Sequence, residues 1–293
     1  MAILGIDVGG TMIKTAFVHQ TEVSYKKRFL TPKKKEDFHR LVSEIIKSYE
    51  QIQPIRKISF SVPGSVDELG TVSFGGAVSY LDQIQLKSFL ELKEMEVTVE
   101  NDAKAATICE INYGNLKNVQ QGAAIILGTG VGMGLCLNGR LYKGTHYQAG
   151  EISFMIRDRQ ITGSDSFVEM GLSAVLLIKK LAEVLEVKND GEAVFLALEK
   201  NGKAAAKELF FKYCNEVAML CFNVQTLLDV EKIVIGGGIS QQNYLIQTIQ
   251  QAYQKLFEVA PIIRKTLRPI KIEAAKFQAD ANLIGASIKE KKV

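Results

Sequence analysis

At 293 residues, 47% of them apolar, the chain is long enough to build two packed cores and too apolar to stay disordered. Its 36 basic and 32 acidic residues leave a net charge of +4, which gives no electrostatic footprint for nucleic acid or an anionic membrane. Four cysteines (Cys109, Cys136, Cys214, Cys221) form no C-x-x-C pair, and His19, His39 and His146 lack metal-ligand spacing, so the thiols read as buried and reduced.

The chain enters an apolar strand almost at once, so neither a leader nor a membrane span is expected, and a cytoplasmic location is. That strand, 2–8, meets Gly9-Gly10 and continues as strand-like runs over 13–18 and 21–29. The basic run Lys33-Lys34-Lys35 followed by Glu36-Asp37 reads as a solvated face. A helix is predicted over 36–52, with Phe38, Leu41, Val42, Ile45 and Ile46 on one face. A buried strand at 58–62 ends at Pro63-Gly64, and the Gly- and Ser-rich stretch 65–81 predicts a hairpin or loop over a site. A short helix over 86–95, a strand at 97–99 and a helix over 103–113 follow, stopped by Gly114-Asn115. A second core then begins at 123–127, meets the turn Gly128-Thr129-Gly130-Val131-Gly132 and continues as a strand to 137. Helices near 167–187, 190–199 and 203–228, a strand at 232–235, the turn Gly236-Gly237-Gly238, a helix over 241–258, a strand near 270–274 and a final helix from Asp280 complete the chain.

The strand–glycine turn–strand unit occurs once in each half. The expected architecture is a pseudo-duplicated α/β protein with two lobes and a ligand cleft between them. The expected domains are residues 1–117, residues 118–278, and a final helix in 279–293 packing back on the first lobe.

Gly9 and Gly10 permit a tight turn and close approach of backbone to a ligand. Thr11 and the turn amides are donors suited to a phosphate. Asp7, at a strand end, suits a hydrated Mg²⁺, which prefers oxygen ligands and keeps several waters. A strand follows this turn, where a Walker loop or dinucleotide fingerprint would begin a helix. A plain hairpin is the alternative. Three such turns after three apolar strands imply backbone amides converging on an extended anion such as a nucleotide.

Asn101-Asp102 stands between a strand and a helix. Asp102 there is either a helix cap or a base that accepts the proton of a hydroxyl attacking a γ-phosphoryl group, with Asn101 holding a neighbouring hydroxyl. Glu151 and Glu169 are either surface charges or sugar ligands, since carboxylate oxygens accept several hydroxyl hydrogen bonds.

Asp7-Val8-Gly9-Gly10-Thr11 with Lys14, Glu100-Asn101-Asp102-Ala103, Leu127 through Gly132, Ala149-Gly150-Glu151 and Gly236-Gly237-Gly238 occur in this order over essentially the whole chain. This set resembles the ROK family of sugar kinases, within the actin/hexokinase-like (ribonuclease H-like) superfamily. The resemblance implies Asp102 as catalytic base and Gly64, Asn101, Glu151, the residue at 154 and Glu169 at the sugar. It implies Asp7, Gly9, Gly10, Thr11, Lys14, Gly128, Thr129, Gly130 and Gly132 at the ATP phosphates and Mg²⁺, and Gly236, Gly237 and Gly238 on the adenosine side.

Two departures stand out. Phe154 occupies the place of the family's E-x-G-H histidine, and the zinc-binding cysteine cluster is missing, with Phe167 where its last cysteine would fall. The expectation is an enzyme using ATP and Mg²⁺ without zinc, similar to a zinc-free branch that includes β-glucoside kinases. Its expected substrate is the 6-hydroxyl of a glucose unit in a β-glucoside such as cellobiose, with glucose or N-acetylmannosamine as alternatives. The family's repressors carry a DNA-binding module ahead of the first turn; few residues precede Asp7, so no nucleic-acid partner is expected. A non-catalytic sugar sensor and a homodimer stay open.

Overall fold

A computed structural model describes residues 2–158 and 160–288. In chain order, its strands and α-helices begin with β1 (Ala2–Val8), β2 (Met12–His19), β3 (Glu22–Leu30), α1 (Lys35–Glu50), β4 (Ile55–Val62), β5 (Ser65–Val66), β6 (Thr71–Ser73), β7 (Ile84–Gln85), α2 (Leu86–Phe89), β8 (Glu96–Asn101) and α3 (Asp102–Tyr113). There follow β9 (Gln121–Leu127), β10 (Val131–Leu137), β11 (Arg140–Tyr142), α4 (Val168–Leu172), α5 (Ala174–Leu185), α6 (Gly191–Asn201) and α7 (Ala204–Leu228). The chain closes with β12 (Lys232–Gly236), α8 (Asn243–Leu256), α9 (Pro261–Thr266), β13 (Lys271–Ala274) and α10 (Ala281–Ser287).

The chain divides into two compact units. The first holds the residues through Lys117, the segment Arg140–Ala149 and the chain from Ala279; the second holds Asn118–Gly139 and Gly150–Gln278. In the first, the sheet order is β3-β2-β1-β4-β8. β1, β2 and β3 are antiparallel neighbours, while β1, β4 and β8 run parallel. The apolar runs of β1 and β4 are buried, as expected of central parallel strands. α1 lays Phe38, Val42, Ile45 and Tyr49 into the same core as Leu4, Ile6 and Phe60. Each such side chain contributes about 1.5–3 kcal/mol of hydrophobic burial.

In the second unit the order β10-β9-β12-β13 repeats the order β2-β1-β4-β8 of the first. β9 and β10 form the antiparallel hairpin, and β9, β12 and β13 are parallel. Ala123, Ile125, Ile233 and Ile235 are buried in the sheet, and α7 and α8 bury Phe210, Val217, Cys221, Leu245 and Ile249.

α10 packs against α3 within the first unit, and the approach is close. A Cβ on Gly285 would stand 1.7 Å from the Ala105 carbonyl oxygen. The carbonyls at its C-terminal end are used: Lys57 Nζ donates to Ser287 O at 3.0 Å and Thr98 Oγ1 to Ala286 O at 2.9 Å. The part of the expected final helix in 289–293 lies outside the described residues.

Several elements differ from expectation. The helix expected over 167–187 is two helices, because Ser173 leaves helical geometry and its hydroxyl accepts the Leu176 N–H to cap α5. The helix expected over 86–95 ends at Phe89, and Glu91 adopts a left-handed turn at φ +56°. The stretch 65–81, by contrast, holds the expected hairpin, β5 paired antiparallel with β6 and extended by β7, followed by a 3₁₀ turn over Gly76–Leu81.

Candidate active site

Because β1, β4 and β8 are parallel, Asp7, Ser61 and Glu100 stand in register near their carboxyl ends, where ligands bind in open α/β sheets. Asp7 is buried. Its Oδ1 accepts from Ser61 Oγ at 2.9 Å and from Asn282 Nδ2 at 3.0 Å, and its Oδ2 pairs with Lys14 Nζ at 3.2 Å. The sequence reading missed Ser61 and Asn282; only the parallel pairing and the return of α10 bring them to Asp7. One carboxylate, with three donors already around it, fits a metal held through water and phosphate rather than by a protein cage. Among the described residues no group of three or more His, Cys, Asp or Glu could hold a metal ion.

The first glycine turn is held at both ends. Gly9 N–H donates to Met12 O at 3.0 Å, Thr31 Oγ1 donates to Gly9 O at 2.6 Å, and Thr31 N–H donates to Thr11 O at 3.0 Å. Gly10 is required: a Cβ there would lie 2.6 Å from the Ala77 Cβ. Gly10 and Thr11 are exposed.

At the β8–α3 junction, Asn101 is the helix cap, its Oδ1 accepting the Lys104 N–H at 3.0 Å. Its Nδ2 donates to Gly64 O at 2.9 Å and to Asp102 Oδ1 at 3.1 Å, and Ala103 N–H donates to the same carboxylate oxygen at 2.7 Å. Gly64 has φ +89°, and a Cβ there would stand 2.3 Å from the Phe74 carbonyl oxygen. The structure thus brings Gly64, Asn101 and Asp102 together.

In the second unit, Gly128 N–H donates to Gly130 O at 3.0 Å, closing the second turn, and Ala174 N–H at the start of α5 donates to Gly128 O at 2.9 Å. Gly237 has φ +89°, and a Cβ on it would meet Leu127 O at 2.0 Å, so the third turn lies backbone against backbone on the end of β9. Beside Gly128 and Gly238 lies a pocket of about 430 Å³ whose walls include Val175, Ile178 and Phe195. An apolar slot flanked by two glycine turns fits a flat heterocycle with phosphates leading from it.

Glu169 lies in the first turn of α4 with its Oε1 3.1 Å from where a Cβ on Gly130 would be. Glu151 follows Gly150, whose φ of +89° brings it against Met133 O. Phe154 meets Phe167 edge to face at 6.0 Å between ring centroids, and Val168 N–H donates to Met155 O at 2.8 Å. The loop is also fastened to α7 by Arg157 and Glu216, paired at 3.2 Å across Gly171. Nothing in the sequence pattern marked that pair.

Known proteins resemble this chain in sequence and fold. A ROK family model matches residues 3–292. A β-glucoside kinase of Listeria monocytogenes is 26% identical over 296 residues, covering 98% of this chain and 96% of that protein. An N-acetylmannosamine kinase of Haemophilus influenzae is 28% identical over 297 residues, covering 98% and 94%. Among solved structures, a ROK family protein from Streptococcus pneumoniae in complex with sucrose is 26% identical with a TM-score of 0.82, covering 98% and 96%. A ROK family glucokinase from Streptomyces griseus, in complex with glucose and AMPPNP, shares the fold at 21% identity and a TM-score of 0.83, covering 98% of each chain. This chain belongs to the ROK family and has the fold of its actin/hexokinase-like sugar kinases.

Proposed function

We propose that this chain is an ATP-dependent carbohydrate kinase acting on a sugar primary hydroxyl, and that its preferred acceptor is the 6-hydroxyl of a glucose unit in a β-glucoside. The observation that carries the reading is the division of labour at the β8–α3 junction. Asn101 serves as the cap through Lys104, so the helix start does not rest on Asp102 alone, and the Asp102 carboxylate, oriented at Oδ1 by the Asn101 amide and the Ala103 N–H, can act as a base. Asp102 takes the hydroxyl proton as the sugar oxygen attacks the γ-phosphorus, the bond to the ADP oxygen breaks, and ADP leaves. Asn101, Glu151 and Glu169 hold sugar hydroxyls, with the Gly64 carbonyl fixing the Asn101 amide. Gly9, Gly10, Thr11 and the turn Gly128–Gly132 contact phosphates, and the pocket beside Gly128 and Gly238 takes the adenine. Asp7 and Lys14 stand at the phosphate end, where Mg²⁺ held through water would offset phosphoryl charge.

The β-glucoside preference rests on Phe154, an aromatic ring in the place of the family's sugar-binding histidine, and on likeness to the Listeria kinase. The Haemophilus relative supports a second reading, N-acetylmannosamine as acceptor. We assign the enzyme to the cytoplasm because its proposed phosphoryl donor, ATP, is available there. The test is coupled ADP release with cellobiose, other β-glucosides, glucose and N-acetylmannosamine. Turnover with cellobiose above the others supports the reading. No turnover with any sugar would identify a sensor instead.

A further inference from the structure

Glu100 is a buried carboxylate immediately before Asn101, and the reaction described above gives it no role. Both of its oxygens are engaged. Oε1 accepts the backbone N–H of Asn101 at 3.0 Å, and Oε2 forms an ion pair with Lys143 Nζ. Lys143 follows β11 in the segment Arg140–Ala149, which belongs to the first unit, and β11 packs against α3. The Lys143 side chain is 31% exposed and that of Glu100 is 8% exposed, so the pair is largely withdrawn from water. Two apolar residues would serve stability about as well, since withdrawing charges from water offsets much of their attraction. What an ion pair adds is direction.

We propose that Lys143 and Glu100 are positioning residues for the catalytic pair Asn101–Asp102. This rests on the kinase reading above. The chain of contacts runs Lys143 Nζ to Glu100 Oε2, Glu100 Oε1 to Asn101 N–H, and Asn101 Nδ2 to Asp102 Oδ1. Asn101 must at once cap α3, hold Gly64 O and hold Asp102. All three contacts depend on the orientation of the peptide that Glu100 grips. Lys143 fixes the carboxylate that does the gripping and balances its charge beside a base that must itself be anionic. Without Lys143, Glu100 turns toward water, the Asn101 peptide loses its acceptor, and the Asp102 carboxylate wanders from the attacking hydroxyl. A misplacement near 1 Å can cost on the order of 10²-fold in rate.

The test compares Lys143→Met, Lys143→Arg and Glu100→Gln in the full chain. It reads kcat, sugar KM, melting temperature and backbone hydrogen exchange of the peptide spanning 98–106. For Lys143→Met the expected result is a kcat about 10- to 100-fold lower, with sugar KM changed by less than about threefold. Exchange at Asn101 should quicken, and Lys143→Arg should recover most of the rate. Glu100→Gln keeps an acceptor for the Asn101 N–H but loses the ion pair, so it should fall between the parent and Lys143→Met. If Lys143→Met folds poorly, Glu100→Gln decides the matter by the same split of kcat against KM. A kcat within about twofold of the parent in both variants overturns the proposal. So does a loss that follows the folded fraction and is not recovered by arginine. Should the parent phosphorylate no sugar, the kinase reading fails instead; exchange at Asn101 then still judges Lys143, and unchanged exchange in Lys143→Met overturns its anchoring role.

Discussion

Asn101 Oδ1 accepts the Lys104 N–H while Asn101 Nδ2 lies 3.1 Å from Asp102 Oδ1. One amide therefore both starts α3 and orients the neighbouring carboxylate. The two readings of Asp102 left open by the sequence, helix cap or base, make different predictions for Asp102→Asn. With the cap on Asn101, this variant should keep its melting temperature within a few degrees. Its kcat should fall about 10²–10⁴-fold, the usual cost of removing a general base. Sugar and nucleotide affinities measured by calorimetry should change little. A variant that melts early, with activity falling in step with the folded fraction, would return Asp102 to a structural role.

The second prediction concerns the junction of α10 with α3. Gly285 sits where a Cβ would be 1.7 Å from the Ala105 carbonyl oxygen, and that obstacle is backbone rather than a flexible side chain. Gly285→Ala must push α10 away from α3 and disturb Asn282, which holds Asp7. We expect a loss of about 2–3 kcal/mol in stability, at the upper end of the cost of overpacking. Urea denaturation would measure it. A loss below about 0.5 kcal/mol, typical of an unconstrained surface site, would mean the helices separate without strain.

The strands and glycine turns were legible in the sequence because apolar runs ending in Gly have few other uses. The pairing of distant residues was not. Ser61 and Asn282 reach Asp7 only because β4 lies parallel to β1 and α10 returns to the first unit. Local pattern also misjudged the stretch 167–187. Its apolar periodicity continues through Ser173, but the Ser173 hydroxyl takes the Leu176 N–H and restarts the helix. Phe154 was visible as a departure from a motif, whereas the Arg157–Glu216 clamp on its loop depends on α7, far along the chain.

The third prediction follows from the buried thiols. Burial pushes Cys136 up to about 11 and Cys221 up to about 12, and it moves Cys214 in the same direction. In the unfolded chain these groups ionise near the ordinary thiol value, at lower pH than in the folded protein. The unfolded state therefore binds fewer protons once pH passes the ordinary value. The stability these thiols lend is full below it and is lost as pH rises toward the folded values. Urea midpoints should hold steady from pH 7 to about 8.5 and then decline through about pH 9–11. At pH 8 a thiol reagent should label the native protein slowly and the denatured protein quickly. Rapid labelling of native Cys221 would contradict its burial.

The last prediction concerns Phe154. In the family pattern a histidine at this place would donate or accept a hydrogen bond at a sugar hydroxyl. A phenyl ring can do neither, and 49% of Phe154 is exposed. Its edge-to-face contact with Phe167 and the backbone bond from Val168 to Met155 fasten the loop. The ring thus offers a fixed apolar face on which a second sugar or an aglycone can stack. Covering roughly 20–60 Å² of the ring with the apolar face of a sugar contributes about 0.5–1.5 kcal/mol, or roughly 2- to 13-fold in affinity. Phe154→Ala should therefore lower kcat/KM for cellobiose by about 3- to 10-fold while changing kcat/KM for glucose by less than about twofold. Phe154→His should shift preference toward glucose, because it restores a polar partner for a free hydroxyl and removes the apolar face. The decisive comparison is the ratio of kcat/KM for cellobiose to that for glucose across the parent and both variants. A parent that prefers glucose outright, or a ratio unchanged by both substitutions, would take the acceptor preference away from Phe154.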